Sequence, residues 1–153
     1  IPSATDSDTG AILAAADAAR DSGDWSTAAQ EYRRYLELRD DDAQIWVQLG
    51  NVSKEEHRLD SSMAAYRKAL ALGLNTSDTH LQMGHLHKVM GDLQGAADCY
   101  FRALDFLPVN LNAYEELERM KLIDQADDFI LTRYAPSHRT EQLIIFDISD
   151  LVC

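Results

Sequence analysis

Small and aromatic apolar residues recur along this chain at a fixed interval. Gly50 and Gly84 lie 34 residues apart, Ala69 and Ala103 share that step, and Tyr32, Tyr66 and Tyr100 form a series on it. The fullest turn of the pattern runs from Thr79 to Pro108: His80-Leu-Gln-Met83-Gly84-His-Leu-His87, a Gly91-Asp92 break, then Ala96, Tyr100, Ala103-Leu104 and the closing Pro108. A period of this length, with a small residue in one helix and an aromatic in the next, predicts antiparallel helix pairs stacked side by side. Three such units are expected, at 9–42, 43–76 and 77–110.

Residues 1–8 are small and polar, which predicts a flexible leader, and Asp8 or Thr9 is placed to cap the first helix. The Ala11–Ala19 run favours helix and permits close approach of a neighbour. Gly23-Asp24 ends it, with Asp24 or Ser26 available to cap a helix from Trp25 to Leu38. Asp40-Asp41-Asp42 reads as a solvated turn capping a helix near Ala43; a calcium loop would need oxygens spaced around a glycine turn. Gly50 and Gly84 read as packing glycines where helices cross, and Ala16 takes that place in the first unit. The next residue in the series is Glu118, which cannot fill a close crossing. The stretch 111–121 is therefore expected to be a capping helix, followed by a second capping helix at 124–134. Residues 136–153 are expected to be a linker and an orphan strand, because Leu143 to Val152 is apolar and β-branched without helical periodicity.

Charge narrows the range of partners. The chain carries a formal net charge of −12, which argues against nucleic acid or an anionic membrane surface as the main partner. Counted by unit, only 43–76 is not acidic. No apolar run is long enough to span a bilayer. Cys99 and Cys153 cannot form a disulfide framework, so a reducing, cytoplasmic setting is expected. The chain begins without Met and stops just after an apolar run, as expected of a segment of a longer protein.

Residues 9–110 resemble the tetratricopeptide repeat family, most fully in the third unit; the first lacks the Gly and the terminal Pro. The resemblance implies an all-α, right-handed α-solenoid of three helix-turn-helix repeats. Its concave face, lined by the first helix of each repeat, would bind a peptide or a partner's helix. It also implies no catalytic residues. The stretch Ile144 to Val152, Ile-Ile-Phe-Asp-Ile-Ser-Asp-Leu-Val, resembles the opening strand of bacterial glycosyltransferases that carry helical repeats ahead of the catalytic domain. That likeness implies an alternative role, as the N-terminal regulatory or substrate-recruiting module of such an enzyme.

Helical spacing places Asn51 and Lys54 on one side of their helix, away from Trp46 and Leu49. Stepping by the period adds His85, Lys88 and Arg119, giving a polar, basic stripe suited to an acidic peptide. The competing reading is a solvated face. The first repeat contributes Leu13, Asp17 and Arg20, which departs from the Lys-plus-Asn pair of chaperone-binding relatives, so a carboxylate clamp is not expected. His80 and His87 read as packing rings, and the five histidines have no further ligand at metal spacing. With no phosphate loop, nucleophile elbow or zinc-helix motif, neither cofactor nor catalysis is expected. The apolar tail is expected either to dock on the solenoid or to pair with the same strand of a second copy, giving a homodimer through 143–152.

Overall fold

The structure, a computed structural model, describes residues 4–122. These form seven helices: α1 Ala4–Asp21, α2 Trp25–Leu38, α3 Ala43–Glu55, α4 Leu59–Ala71, α5 Ser77–Val89, α6 Leu93–Phe106 and α7 Leu111–Arg119. They pair in sequence as α1/α2, α3/α4 and α5/α6, each pair packing on the next, and α7 lies against α6. The expected all-α solenoid is therefore present.

Five helices start at a polar side chain that accepts a backbone N–H from three residues further on. Asp24 takes Thr27 N–H at 3.2 Å, Asp42 takes Ile45 at 3.3 Å, Thr76 takes Thr79 at 3.2 Å, Asp92 takes Gly95 at 2.9 Å and Asn110 takes Ala113 at 3.1 Å. Each satisfies one otherwise orphaned donor. Asp42 also accepts the Tyr35 hydroxyl at 2.8 Å, so the last residue of the acidic turn joins two repeats.

The expected leader needs correction, because α1 already runs from Ala4. Asp6 favours the first turn, whose free N–H groups attract negative charge. Thr9 is buried inside the helix and donates its hydroxyl to the Asp6 carbonyl at 3.0 Å instead of capping. At the other end the capping helix is short: α7 starts in register with α5 but has 9 residues against 13, and Lys121 follows it with φ 60°. Glu118 is exposed, as its charge requires. Residues 1–3, the second capping helix, the strand at 143–152 and the dimer expected through it lie outside the described residues.

The turn inside each repeat uses one left-handed residue, at Gly23 (φ 78°), His57 (φ 60°) and Gly91 (φ 78°), again on the period. Two of the three positions carry the residue with no Cβ penalty there.

Between the helices of each pair lies a tyrosine ring. Tyr32, Tyr66 and Tyr100 are all 0% exposed. A Cβ added to Gly50 would stand 2.6 Å from Tyr66 Cε1, and one added to Gly84 would stand 2.6 Å from Tyr100 Cδ1, so both glycines hold backbone against a ring face. The Ser62 hydroxyl donates to the Gly50 carbonyl at 2.7 Å and pins the same crossing. Apolar clusters then run between repeats: Val47, Met63, Tyr66, Met83, Leu86 and Cys99 bridge the second and third, and Leu81, Tyr100, Leu104, Ala113 and Leu117 carry the core onto α7.

Trp46 and His80 fill the same place in successive repeats. The Trp46 indole donates to the Asp40 carbonyl at 2.8 Å; His80 Nε2 meets Asn75 Oδ1 at 2.6 Å and its ring stacks on Phe106 at 5.4 Å. The packing role expected of His80 is what the structure shows. His87 differs: its Nδ1 pairs with the capping Asp92 at 3.0 Å and it is only partly buried, because Gly95 leaves space for a polar contact where an inter-helix hole was expected.

Gly84→Ala should destabilise the fold by about 1–3 kcal/mol or more through overpacking against the ring. Ala16→Gly should cost about 1 kcal/mol or less from backbone entropy. Chemical denaturation of the two variants, with equal slopes, checks the difference.

Candidate functional site

The first helices α1, α3, α5 and α7 lie side by side and together present one face. Its side chains are ordered by two periodic sets of hydrogen bonds. In the first, the buried tyrosine passes its hydroxyl through the helix crossing to a residue of the first helix. Tyr32 donates to Asp17 Oδ1 at 2.7 Å, Tyr66 donates to Asn51 Oδ1 at 2.6 Å, and the Tyr100 hydroxyl meets His85 Nδ1 at 3.1 Å. Burial raises all three phenol pKa values above the ordinary one, so the hydroxyls stay protonated and able to donate.

The second set joins neighbouring repeats. A cation one turn beyond each tyrosine partner reaches to a residue 28 positions further on: Arg20 Nη1 to Gln48 Oε1 at 3.3 Å, Lys54 Nζ to Gln82 Oε1 at 3.1 Å, and Lys88 Nζ to Glu116 Oε2 at 2.6 Å. Each bond is a rung between adjacent first helices. The acceptors Gln48, Gln82 and Glu116 themselves repeat at the 34-residue step, a signal that a search for identical residue types passes over.

All five residues of the expected stripe are on this face or at its edge, but their charges differ in availability. Lys88 is bound to Glu116, which is buried and also accepts from Arg119 Nη1 at 2.8 Å. Burial alone would raise the Glu116 pKa, but the hydrogen bond and charge of Lys88, helped by His85 and Arg119, outweigh it and hold the carboxyl below its ordinary value. Arg20 is tied to Asp17 at 3.1 Å and Asp21 at 2.9 Å. Lys54 ends on the neutral amide of Gln82 and, alone of the three rung cations, has no carboxylate within ion-pair distance among the described residues, though Glu55 and Asp78 are nearby. Burial lowers its pKa, and those two carboxylates oppose the shift.

His85 sits between Lys54 and Lys88, edge-on to the Tyr100 ring at 5.6 Å. Burial lowers its pKa first, then Lys54 and Lys88; Glu116 and Asp78 act the other way. A neutral Nδ1 can accept the Tyr100 hydroxyl, whereas a protonated one would meet a donor. Among the described residues no group of three His, Cys, Asp or Glu side chains is placed to hold a metal ion. No described helix is long and apolar enough to cross a membrane.

This geometry defines the class of the protein. Residues 9–52 match the model of the tetratricopeptide repeat family, and the described residues have the fold of a tetratricopeptide-repeat solenoid. The matched stretch includes the repeat in which Ala16 stands in the Gly position. Among solved structures, the crystal structure of MamA is similar at 20% identity and a TM-score of 0.69, covering 79% of this chain and 73% of that one. The first tetratricopeptide domain of Spaghetti (RPAP3), bound to the HSP90 peptide SRMEEVD, is similar at 17% identity and a TM-score of 0.68, covering 77% and 91%. An O-GlcNAc transferase mutant from Thermobaculum terrenum is similar at 21% identity and a TM-score of 0.66, covering 76% of this chain but 22% of that one. No protein of curated function matches the sequence.

The histidines give the fold a pH dependence of definite sign. His80 and His85 both have folded pKa values below the unfolded one of about 6.5. Their contribution is complete above that value and is lost as pH falls towards the folded pKa. His85→Asn, which copies Asn51, should therefore give a shallower loss of thermal stability between about pH 7.5 and 5 than the parent chain. Melting curves across that range check it.

Proposed function

We propose that this protein is a non-catalytic interaction scaffold that binds an extended peptide or a helix of a partner protein on the face of its first helices. Asn51, Lys54, His85, Lys88 and Arg119 are the proposed contact residues. The observation that supports the reading is the order of that face. Tyrosine hydroxyls and inter-repeat rungs fix polar side chains in rows, so little conformational entropy is lost when a ligand's backbone and side chains replace water there. That the Spaghetti domain holds a peptide is in keeping with it. The buried thiol of Cys99 suits a reducing, cytoplasmic setting.

For the acidic ligand the stripe suggested, Lys54 is the informative cation, because Lys88 and Arg119 already serve Glu116. Lys54→Glu should weaken a bound acidic peptide by about tenfold and lower stability by about 1 kcal/mol through loss of its rung to Gln82. Lys88→Glu should lower stability by more, about 1–3 kcal/mol, since it sets a second carboxylate against the buried Glu116 and removes one of that residue's two cationic partners. Titration calorimetry with an acidic peptide, beside denaturant melts, separates the two effects. An affinity unmoved by Lys54→Glu would return the stripe to a solvated face.

A second reading keeps the scaffold but places it in a sugar-transferring enzyme, favoured by the likeness to the Thermobaculum transferase and by the Ile144–Val152 stretch. The 153-residue chain should then turn over no sugar nucleotide by itself. A product-release assay with UDP-sugars checks this, and turnover by the chain would overturn the non-catalytic reading.

A further inference from the structure

The second helices α2, α4 and α6 carry a periodic surface that the interaction face does not use. Arg34, Lys68 and Arg102 occupy one register, each exposed, and Arg33 and Arg67 stand beside the first two. One turn beyond that register come Leu38, Leu72 and Phe106, exposed by 54%, 38% and 49%. Residues four apart on a helix are neighbours, so each second helix ends in a cation beside an apolar side chain. Stacking the repeats aligns these pairs into a ridge across three helices.

The ridge differs from the inner face in what its charges already do. On the first helices each rung cation has a partner in the next repeat. On the ridge, Arg34 pairs with Glu31 at 2.9 Å, while Arg33, Arg67, Lys68 and Arg102 have no carboxylate within ion-pair distance among the described residues. The last two turns of the three helices hold these five cations against Glu37 and Asp105. Cations near helix C-termini complement the helix dipole. That accounts for one charge per helix, but not for the paired Arg67 and Lys68 or for exposed apolar side chains on the same period. Phe106 also stacks on His80, so one edge of the ridge is held rigid by the core.

We infer that the ridge of α2, α4 and α6 docks an acidic amphipathic segment of a partner protein, with carboxylates on the Arg34, Arg67 and Lys68 side and apolar residues over Leu38 and Leu72. Charge complementarity argues for this occupant: within a chain of net charge −12 the middle repeat is the one unit that is not acidic, and its second helix provides two adjacent cations. An anionic bilayer would meet the repulsion of the whole chain; a short segment meets only the ridge. This site is separate from the proposed peptide face, and the two can be occupied or abolished independently.

The test uses the 153-residue chain and two fluorescein-labelled peptides of identical Glu and Leu composition, one with its leucines on a single helical face and one with them scattered. Fluorescence anisotropy should show the amphipathic peptide binding at least about tenfold more tightly than the scattered one. Arg67→Glu with Lys68→Glu should abolish binding, and Leu38→Ser with Leu72→Ser should weaken it by about tenfold. If the charge-reversed variant melts early, Arg67→Gln with Lys68→Gln replaces it, with at least about a fivefold loss expected. Equal binding of the two peptides, unchanged affinity in the α4 variants, no binding, or binding only to phosphatidylserine vesicles would each overturn the assignment.

Discussion

The structure depends on a tyrosine ring set into a helix crossing. A ring that is 0% exposed and pressed against the backbone of Gly50 or Gly84 leaves no room for the partner helix to shift, so the two helices of a repeat move as one body. The same ring has a polar end, and a buried phenol must find a partner for its hydroxyl. The crossing therefore delivers that hydroxyl to the first helix, where Asp17, Asn51 and His85 receive it. One packing decision thus fixes both the core and one row of the face formed by the first helices. Substituting the row is not free of structural consequence, because each of its members is also the tyrosine's hydrogen-bond partner.

The rungs extend this coupling from one repeat to the next. Each is a single hydrogen bond between side chains near the surface, of order 1 kcal/mol or less when its acceptor is neutral. What the rungs add is direction: they set which turn of one first helix faces which turn of the next, and they hold long side chains that would otherwise sample many rotamers. They also consume positive charge. A stripe that looks basic when residues are counted is nearly neutral in place, since Asp17, Asp21 and Glu116 stand beside the cations.

How much of this was legible in the sequence follows from which interactions repeat with the period. The Tyr series obeys it at all three steps, and the Gly and Ala series in the second and third repeats, with Ala16 still small at the first crossing, because the helix crossing imposes the same steric requirement each time, and the solenoid could be read directly. The stripe could be proposed on the same ground, since helical spacing alone places Asn51 beside Lys54 and His85 beside Lys88. Its partners were not legible in the same way. The rung from Lys54 to Gln82 spans 28 residues, because a side chain leaning across a tilted neighbour does not land on its own equivalent. The series Gln48, Gln82, Glu116 hides it further by changing chemistry at the last step. The helix start at Ala4 and the polar contact of His87 depend on a single turn and a single glycine, details too local for a 34-residue pattern to carry.

The change of chemistry at that last rung matches the change in packing. α7 is one turn shorter than α5, and its buried residues are Ala113, Glu116 and Leu117. With less apolar surface to hold it in register, the helix gains an ion pair, charged at both ends, where the earlier rungs run from a cation to a neutral amide. The carboxylate that makes this bond must be buried to reach Lys88, and burial is tolerable only because Arg119 takes its other oxygen. Lys88 and Arg119, two of the five cationic or polar residues that the sequence offers for a ligand, are thereby committed to ending the array. For the proposed recognition on the first helices, what remains is centred on the second and third repeats, where Lys54 meets an amide that carries no charge of its own.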